Sequence, residues 1–99
     1  MSQQAHTCSI ARFEAMISPY PEIARFWKFD GLRSILTLVD DSKVYMNQHE
    51  RLLFRFFRAV WTQEPSHIAE FNYIEAAYMF EERERKLFLD FLAEPFLPG

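Results

Sequence analysis

Hydrophobic residues recur at helical spacing along most of the chain, and the pattern is most regular near its middle. Apolar side chains at positions 53, 56, 57 and 60 share one face of a helix. Asn47 and Glu50 have the spacing of a capping box, which marks a helix start. Pro65 cannot continue a helix because it lacks the backbone N–H donor. The sequence therefore predicts one long helix over residues 47–63.

Shorter patterns precede this helix. Ser9 is a candidate N-cap for a first helix, and a second short helix is predicted over 21–28, where proline suits the first position. Apolar residues within 31–40 fit the helical template, so we favour a helix there. A hairpin that pairs 34–39 with 44–47 is the alternative, although its apolar residues do not alternate cleanly.

The C-terminal third also has a helical pattern. Ser66 or Asn72 opens it, and Asn72 with Glu75 has the spacing of a second capping box. The apolar faces before and after positions 81–84 point in different directions, which predicts a kink or short break there. Pro95 ends the helical region.

Together these patterns predict an all-α protein, a compact bundle of four to six short helices in one domain. The helical domain spans 9–94, after a flexible polar N-terminus over 1–8 and before a proline-flanked apolar tail over 95–99. In that tail, Phe96 either folds back onto the core or enters a groove on a partner.

Composition supports a folded chain with aromatic residues to spare. The 99 residues include 11 Phe, 4 Tyr and 2 Trp, and only 2 Gly. A chain of this length forms one domain. Each buried aromatic side chain covers about 150–250 Å², so we expect some of these rings to lie at the surface or against a partner.

The charge is small and unevenly distributed. The formal net charge is −3, which gives no overall attraction to nucleic acid or to an anionic membrane. Residues 1–63 hold eight basic and six acidic side chains, a net charge of +2. Residues 64–99 hold three basic and eight acidic side chains, a net charge of −5. This asymmetry predicts docking of the two halves on each other or across a dimer.

The sequence offers little that points to catalysis or to a cofactor. Cys8 is the single cysteine, and His6 beside it has no third group that would complete a triad. His67 and Glu70 form one isolated pair, whereas zinc needs three or four ligands. With two glycines, a phosphate-binding loop is hard to build. We therefore predict no enzymatic activity, no cofactor and no metal.

Other features indicate where the protein resides and how its acidic cluster behaves. A single cysteine, no signal peptide and no apolar run long enough to span a membrane predict a cytoplasmic protein without a membrane partner.

Carboxylates over 81–84 alternate with basic residues, and pairs such as Glu81 with Arg85 and Glu82 with Lys86 have favourable helical spacing. This cluster is predicted to be a solvated, self-paired helix face.

The helix over 47–63 carries the candidate interaction site. Its apolar arc is wider than the usual core-facing stripe, which indicates either a central helix or contact with another chain. An arginine stripe lies beside aromatic residues on this helix, a composition found in protein interfaces. We predict self-association or binding of a partner protein, with arginines paired to the acidic residues 81–84 of another copy. The interface residues would be Arg51, Phe54, Arg55, Arg58, Trp61 and Phe96.

The alternative is a small nucleic-acid-binding protein. Helices over 31–40 and 47–63 would then form a pair similar to a helix-turn-helix, with the arginine stripe on phosphates. The acidic net charge and the six-residue connection make nucleic acid an unlikely partner.

Three segments carry a resemblance to known proteins: LLFRFFRAVW, EFNYIEAA and FLAEPFLP. With them, roughly the second half of the chain resembles small uncharacterised accessory proteins carried by bacterial integrative and conjugative elements. The resemblance implies a bacterial, mobile-element context, such as an adaptor or an inhibitor, and implies no defined activity.

Overall fold

The structure is a computed structural model that describes the backbone of residues 2–30, 33–36 and 44–96, and the side chains of 10–28 and 44–96. Its described residues form six helices and one two-stranded antiparallel hairpin, which confirms the all-α class. In chain order the elements are α1 (Ser2–Ile17), α2 (Pro21–Ala24), β1 (Trp27–Asp30), β2 (Arg33–Leu36), α3 (Gln48–Thr62), α4 (Pro65–Glu70), α5 (Tyr73–Met79) and α6 (Glu82–Ala93).

Helix α3 is the central element of the core. The capping box predicted at its start is present: Asn47 accepts a hydrogen bond from the Glu50 N–H at 2.8 Å, and the Glu50 carboxylate accepts one from the Asn47 N–H at 3.0 Å. The helix ends at Thr62, because the next residue, Gln63, has a left-handed φ of 55° that stops the helical ladder. Its buried residues are Leu52, Leu53, Phe54, Phe56, Phe57, Arg58, Ala59 and Val60.

Aromatic rings join the other elements to α3. Phe13 of α1 packs at 5.3 Å from Trp27 and at 6.3 Å from Phe57, with edge-on geometry in both pairs. On the opposite side, Phe56 packs edge-on at 5.5 Å from Phe88 of α6. Edge-to-face pairs of this kind add about 0.5–1.5 kcal/mol beyond the area they bury. The wide apolar arc of α3 is therefore explained by neighbours on several sides.

The C-terminal helices begin and end close to the predicted positions. Pro65 occupies the start of α4, where its missing N–H costs nothing. Asn72 caps α5 by accepting hydrogen bonds from the N–H groups of Ile74 and Glu75, both at 3.0 Å. The predicted break lies at 80–81, since α5 ends at Met79 and α6 begins at Glu82.

Two N-terminal predictions are corrected. Helix α1 begins at Ser2, so Ser9 lies inside the helix and is not its N-cap. No helix breaker occurs in this segment, and a helix held in the core by Phe13 and Ile17 extends at little cost once it is nucleated. The second helix ends at Ala24 instead of position 28, because β1 begins at Trp27.

The helix predicted over 31–40 is wrong at 33–36, which form β2. Strand β1 pairs with β2 in antiparallel register, with Trp27 opposite Leu36 and Asp30 opposite Arg33. In the sequence, a glycine after Asp30 is compatible with a turn between strands as well as with a helix end, which accounts for the error. The alternative prediction is a hairpin of 34–39 with 44–47, which differs from the observed pairing of β1 with β2. Its positions 37–43 lie outside the described residues, and so do positions 31, 32 and 37–40 of the predicted helix.

Within the described part of the chain, no helix is both long and apolar enough to cross a bilayer.

Candidate functional site

Phe54, the aromatic residue predicted at the centre of an interface, lies in the core of this chain. Its side chain is 0% exposed and packs between Phe26 at 5.4 Å and Trp27 at 6.0 Å. Phe26 directly precedes β1, and Trp27 is the first residue of that strand. Phe54 is thus a core residue that offers no surface to a partner.

The predicted arginine stripe does not form one exposed basic face. Arg58 is buried, pairs with Glu70 of α4, and places its guanidinium 5.2 Å from the Phe54 ring centre. Arg51 is half-buried and donates to the Met46 carbonyl at 3.5 Å. Arg55 is also half-buried and has an interaction of its own. Because Arg58 is paired within the chain, its predicted pairing with residues 81–84 of another copy is corrected.

The last two predicted site residues lie at the edge of the core. Trp61 is half-buried, with its ring 5.0 Å from Phe13. Phe96 folds back, with the Arg12 guanidinium 4.3 Å above its ring and Phe91 at 5.4 Å. These contacts agree with the folding-back interpretation of the tail, although both rings keep part of their surface in solvent.

A buried carboxylate, Glu84, is the polar residue that the sequence did not reveal. It was expected on a solvated face, yet it is 1% exposed. Its Oε2 accepts hydrogen bonds from the Tyr20 hydroxyl at 2.8 Å and from Arg83 Nε at 3.1 Å. Its Oε1 lies 3.1 Å from His49 Nε2 and 3.2 Å from the Glu81 N–H. An ionised carboxylate only accepts, so His49 donates through Nε2.

The electrostatics of this cluster favour an ionised glutamate. Burial by itself raises the pKa of Glu84, but the hydrogen bonds from Tyr20, Arg83, His49 and the Glu81 N–H outweigh it and hold the pKa below its ordinary value. Burial, together with the hydrogen bond to Glu84, raises the pKa of Tyr20 to about 12. The carboxylate therefore fastens the first turn of α6 to the start of α2 and to α3.

Several large apolar side chains of the C-terminal helices are exposed. Among the described side chains, large apolar residues that remain exposed are concentrated in α4, α5 and α6, with Tyr45 as the exception. Leu89 is 61% exposed and Tyr78 is 84% exposed. We call this set the apolar surface; it consists of Ile68, Tyr73, Ile74, Tyr78, Leu89 and Leu92.

Two hollows open on the apolar surface. The larger, which we call the groove, has a volume of about 260 Å³ and lies between α5 and α6; its lining residues are Tyr73, Ala76, Ala77, Phe80, Arg85, Phe88 and Leu89. A second hollow of about 170 Å³ lies between α3, α4 and α6 and includes Ile68, Phe71 and Leu92. Phe88 borders both, so they are adjacent.

Apart from the Tyr73 hydroxyl and Arg85, the groove is lined by apolar side chains. Arg85 donates to the Ala77 carbonyl oxygen at 2.9 Å, so this cation is held within the chain. Lys86 similarly pairs with Asp90 at 3.1 Å. The contacts of Arg85 and Lys86 are therefore not the predicted ones with Glu81 and Glu82. Glu81 and Glu82, at the start of α6, are exposed.

The polar side chains of the described residues do not assemble a metal site: no group of three or more His, Cys, Asp or Glu residues converges among them. His67 lies 2.7 Å from the Thr62 hydroxyl, and Glu70 pairs with Arg58. Comparison with protein-family models, with curated proteins and with solved structures finds no match to this chain.

Proposed function

We propose that this protein is a non-enzymatic helical module that binds a partner protein through the apolar surface of α4, α5 and α6. The single cysteine and the resemblance described above extend the proposal to a cytoplasmic adaptor or inhibitor from a bacterial mobile element. The interaction site differs from the one predicted on α3, because the aromatic residues of α3 are used in the core.

One observation carries the proposal: large apolar side chains stay exposed on α4, α5 and α6, and four of them line two adjacent hollows, namely Ile68, Tyr73, Leu89 and Leu92. Scattered single apolar residues are normal on a protein surface, whereas a contiguous patch marks an association site. Leu89 and Leu92, three positions apart on α6, contribute one to each hollow. Each side chain is about 60% exposed and would gain from burial against a partner.

The test is crosslinking followed by a binding measurement with purified proteins. A photoreactive amino acid at Leu89 is used for capture, and the same residue at Tyr45, also exposed but outside the apolar surface, is the control. A captured protein counts only if, once purified, it binds the wild type and binds Leu89→Glu at least tenfold more weakly. Tyr45→Glu should bind like the wild type. Equal affinity of all three chains would refute the proposal.

A further inference from the structure

We infer that a polar hollow, formed where the starts of α2, α3 and α6 meet, binds a small zwitterion of the amino acid class. The hollow has a volume of about 280 Å³, and its polar and charged lining residues are Tyr20, Glu22, His49, Glu50 and Arg83. Two prolines, an isoleucine and a leucine complete the lining. None of these residues belongs to the apolar surface, so the inference goes beyond the proposed function.

The buried Glu84 holds two of the side chains that line this hollow. Its carboxylate accepts a hydrogen bond from Arg83 Nε at 3.1 Å and lies 3.1 Å from His49 Nε2. A carboxylate that is 1% exposed is costly to keep ionised, and perturbed ionisable groups beside a hollow are typical of binding sites. Glu84 therefore fixes a guanidinium and an imidazole in place before a ligand arrives.

Arg83 selects an anionic group in the ligand. Its guanidinium lies 4.7 Å from the Tyr20 ring centre, which restricts its position further. A guanidinium has five N–H donors, and Glu84 accepts from the one on Nε. Because the Arg83 side chain is 67% exposed, its outer donors are accessible to a carboxylate, with which arginine forms strong charge-assisted hydrogen bonds.

Glu22 and Glu50 select a cationic group. The hydrogen bond with Glu50 and the charge of Glu50 raise the pKa of Glu22, so the two carboxyl groups lie close together. Ionised carboxylates at close range repel each other, and an ammonium group relieves this repulsion because it brings three donors and a positive charge. The charge of Arg25 lowers the pKa of both carboxyl groups, but Arg25 does not line the hollow.

His49 and the size of the hollow narrow the class of ligand. Since His49 donates to Glu84 through Nε2, its neutral ring offers Nδ1 as an acceptor, which suits an ammonium N–H. Pockets for drug-sized molecules exceed about 300 Å³, so a hollow of about 280 Å³ favours a smaller ligand. An amino acid combines a carboxylate, an ammonium group and a small body, whereas a simple anion or a simple cation matches only one of the two charged groups.

The experiment measures the binding of free amino acids to the purified full chain. Saturation-transfer nuclear magnetic resonance with each standard amino acid identifies those that bind, and titration calorimetry gives the affinity of the strongest. The same titration is made with its N-acetyl derivative, which lacks the ammonium charge, and with its carboxamide, which lacks the carboxylate. Arg83→Met and Glu22→Gln are the hollow variants. Lys86→Met and Glu82→Gln, at exposed positions outside the hollow, are the matched controls.

We expect the free amino acid to bind at least tenfold more tightly than either derivative. Arg83→Met should weaken binding of the amino acid at least tenfold and leave the affinity for the carboxamide unchanged. Glu22→Gln should likewise weaken binding of the amino acid and leave the affinity for the N-acetyl derivative unchanged. Both control variants should bind like the wild type, and denaturation curves verify that all four variants fold.

Three outcomes would overturn the inference. These are a lack of binding by every amino acid, a derivative that binds as tightly as the free amino acid, or an affinity that neither hollow variant changes. The crosslinking experiment at Leu89 tests a different part of the molecule, so the proposed function is decided separately from this inference.

Discussion

Replacing Glu84 with alanine should destabilise the protein strongly, although the residue lies in a cluster of charges that resembles an ordinary helix surface. The buried carboxylate accepts hydrogen bonds from Tyr20, His49, Arg83 and the Glu81 N–H. Its removal leaves the buried Tyr20 hydroxyl without its acceptor, and an unsatisfied buried donor costs about 1–3 kcal/mol. The His49 side chain is 32% exposed, so it can donate to water instead and adds less. Relief of the desolvation penalty of the carboxylate offsets part of this cost.

We therefore expect the free energy of unfolding to fall by about 2 kcal/mol in Glu84→Ala. For a domain of this size, this corresponds to a fall in Tm of about 8–16 °C. Urea denaturation followed by tryptophan fluorescence is a suitable assay, since Trp27 is buried and Trp61 is half-buried. The matched control is Glu82→Ala, an exposed glutamate in the same helix turn, for which a change within about 0.5 kcal/mol is expected.

The stability that Glu84 contributes should depend on pH. The pKa of Glu84 lies below its ordinary value in the folded protein, so its ionised form contributes stability. That contribution is complete above the ordinary glutamate pKa of about 4.3 and is lost as the pH falls through the folded value. The difference between wild type and Glu84→Gln should therefore be constant at neutral pH and shrink in acid. Equal losses for Glu84→Ala and Glu82→Ala, or a difference that grows in acid, would refute this interpretation.

Three further predictions follow from the structure. The ultraviolet absorbance of phenolate should reveal one tyrosine with a pKa of about 12, and this titration should be missing in Tyr20→Phe. The neutral Tyr20 side chain should stabilise the fold fully below the ordinary tyrosine pKa, and this stabilisation should be lost as the pH rises through about 12. Phe54→Ala should lower the free energy of unfolding by about 3–5 kcal/mol, against less than about 0.5 kcal/mol for Tyr45→Ala; similar values for both would contradict the core position of Phe54. Asn47→Ala should cost about 1 kcal/mol through loss of the α3 cap, and an unchanged denaturation midpoint would argue against that capping box.

Helix boundaries set by local chemistry could be predicted from the sequence. Asn47 and Asn72 both cap helices, and the break before α6 lies where the two apolar faces lose their alignment. The hairpin could not be predicted in the same way. Its strands are four residues each, too short for a clear alternating pattern, and Asp30–Gly31 is compatible with both a helix end and a turn.

The candidate site depends on contacts between distant parts of the chain, which is why the proposed site differs from the one predicted on α3. The wide apolar arc of α3 is covered by other elements of the same chain, so Phe54 is in the core. Glu84 is buried because Tyr20, 64 positions earlier, reaches its carboxylate. Its reach back to the Glu81 N–H follows the capping-box spacing, a local signal available in the sequence. Periodicity identifies an apolar face, as for Ile74 and Tyr78, without showing whether anything covers it.

The most direct test of the account is nuclear magnetic resonance mapping of the ¹⁵N-labelled protein during titration with the purified partner captured by crosslinking at Leu89. Binding through the apolar surface predicts that the largest shift changes fall within residues 68–92, around Leu89 and Tyr73, and that they disappear in Leu89→Glu. Shift changes centred on the arginines of α3, such as Arg51 and Arg55, with the groove residues unaffected, would contradict the central claim.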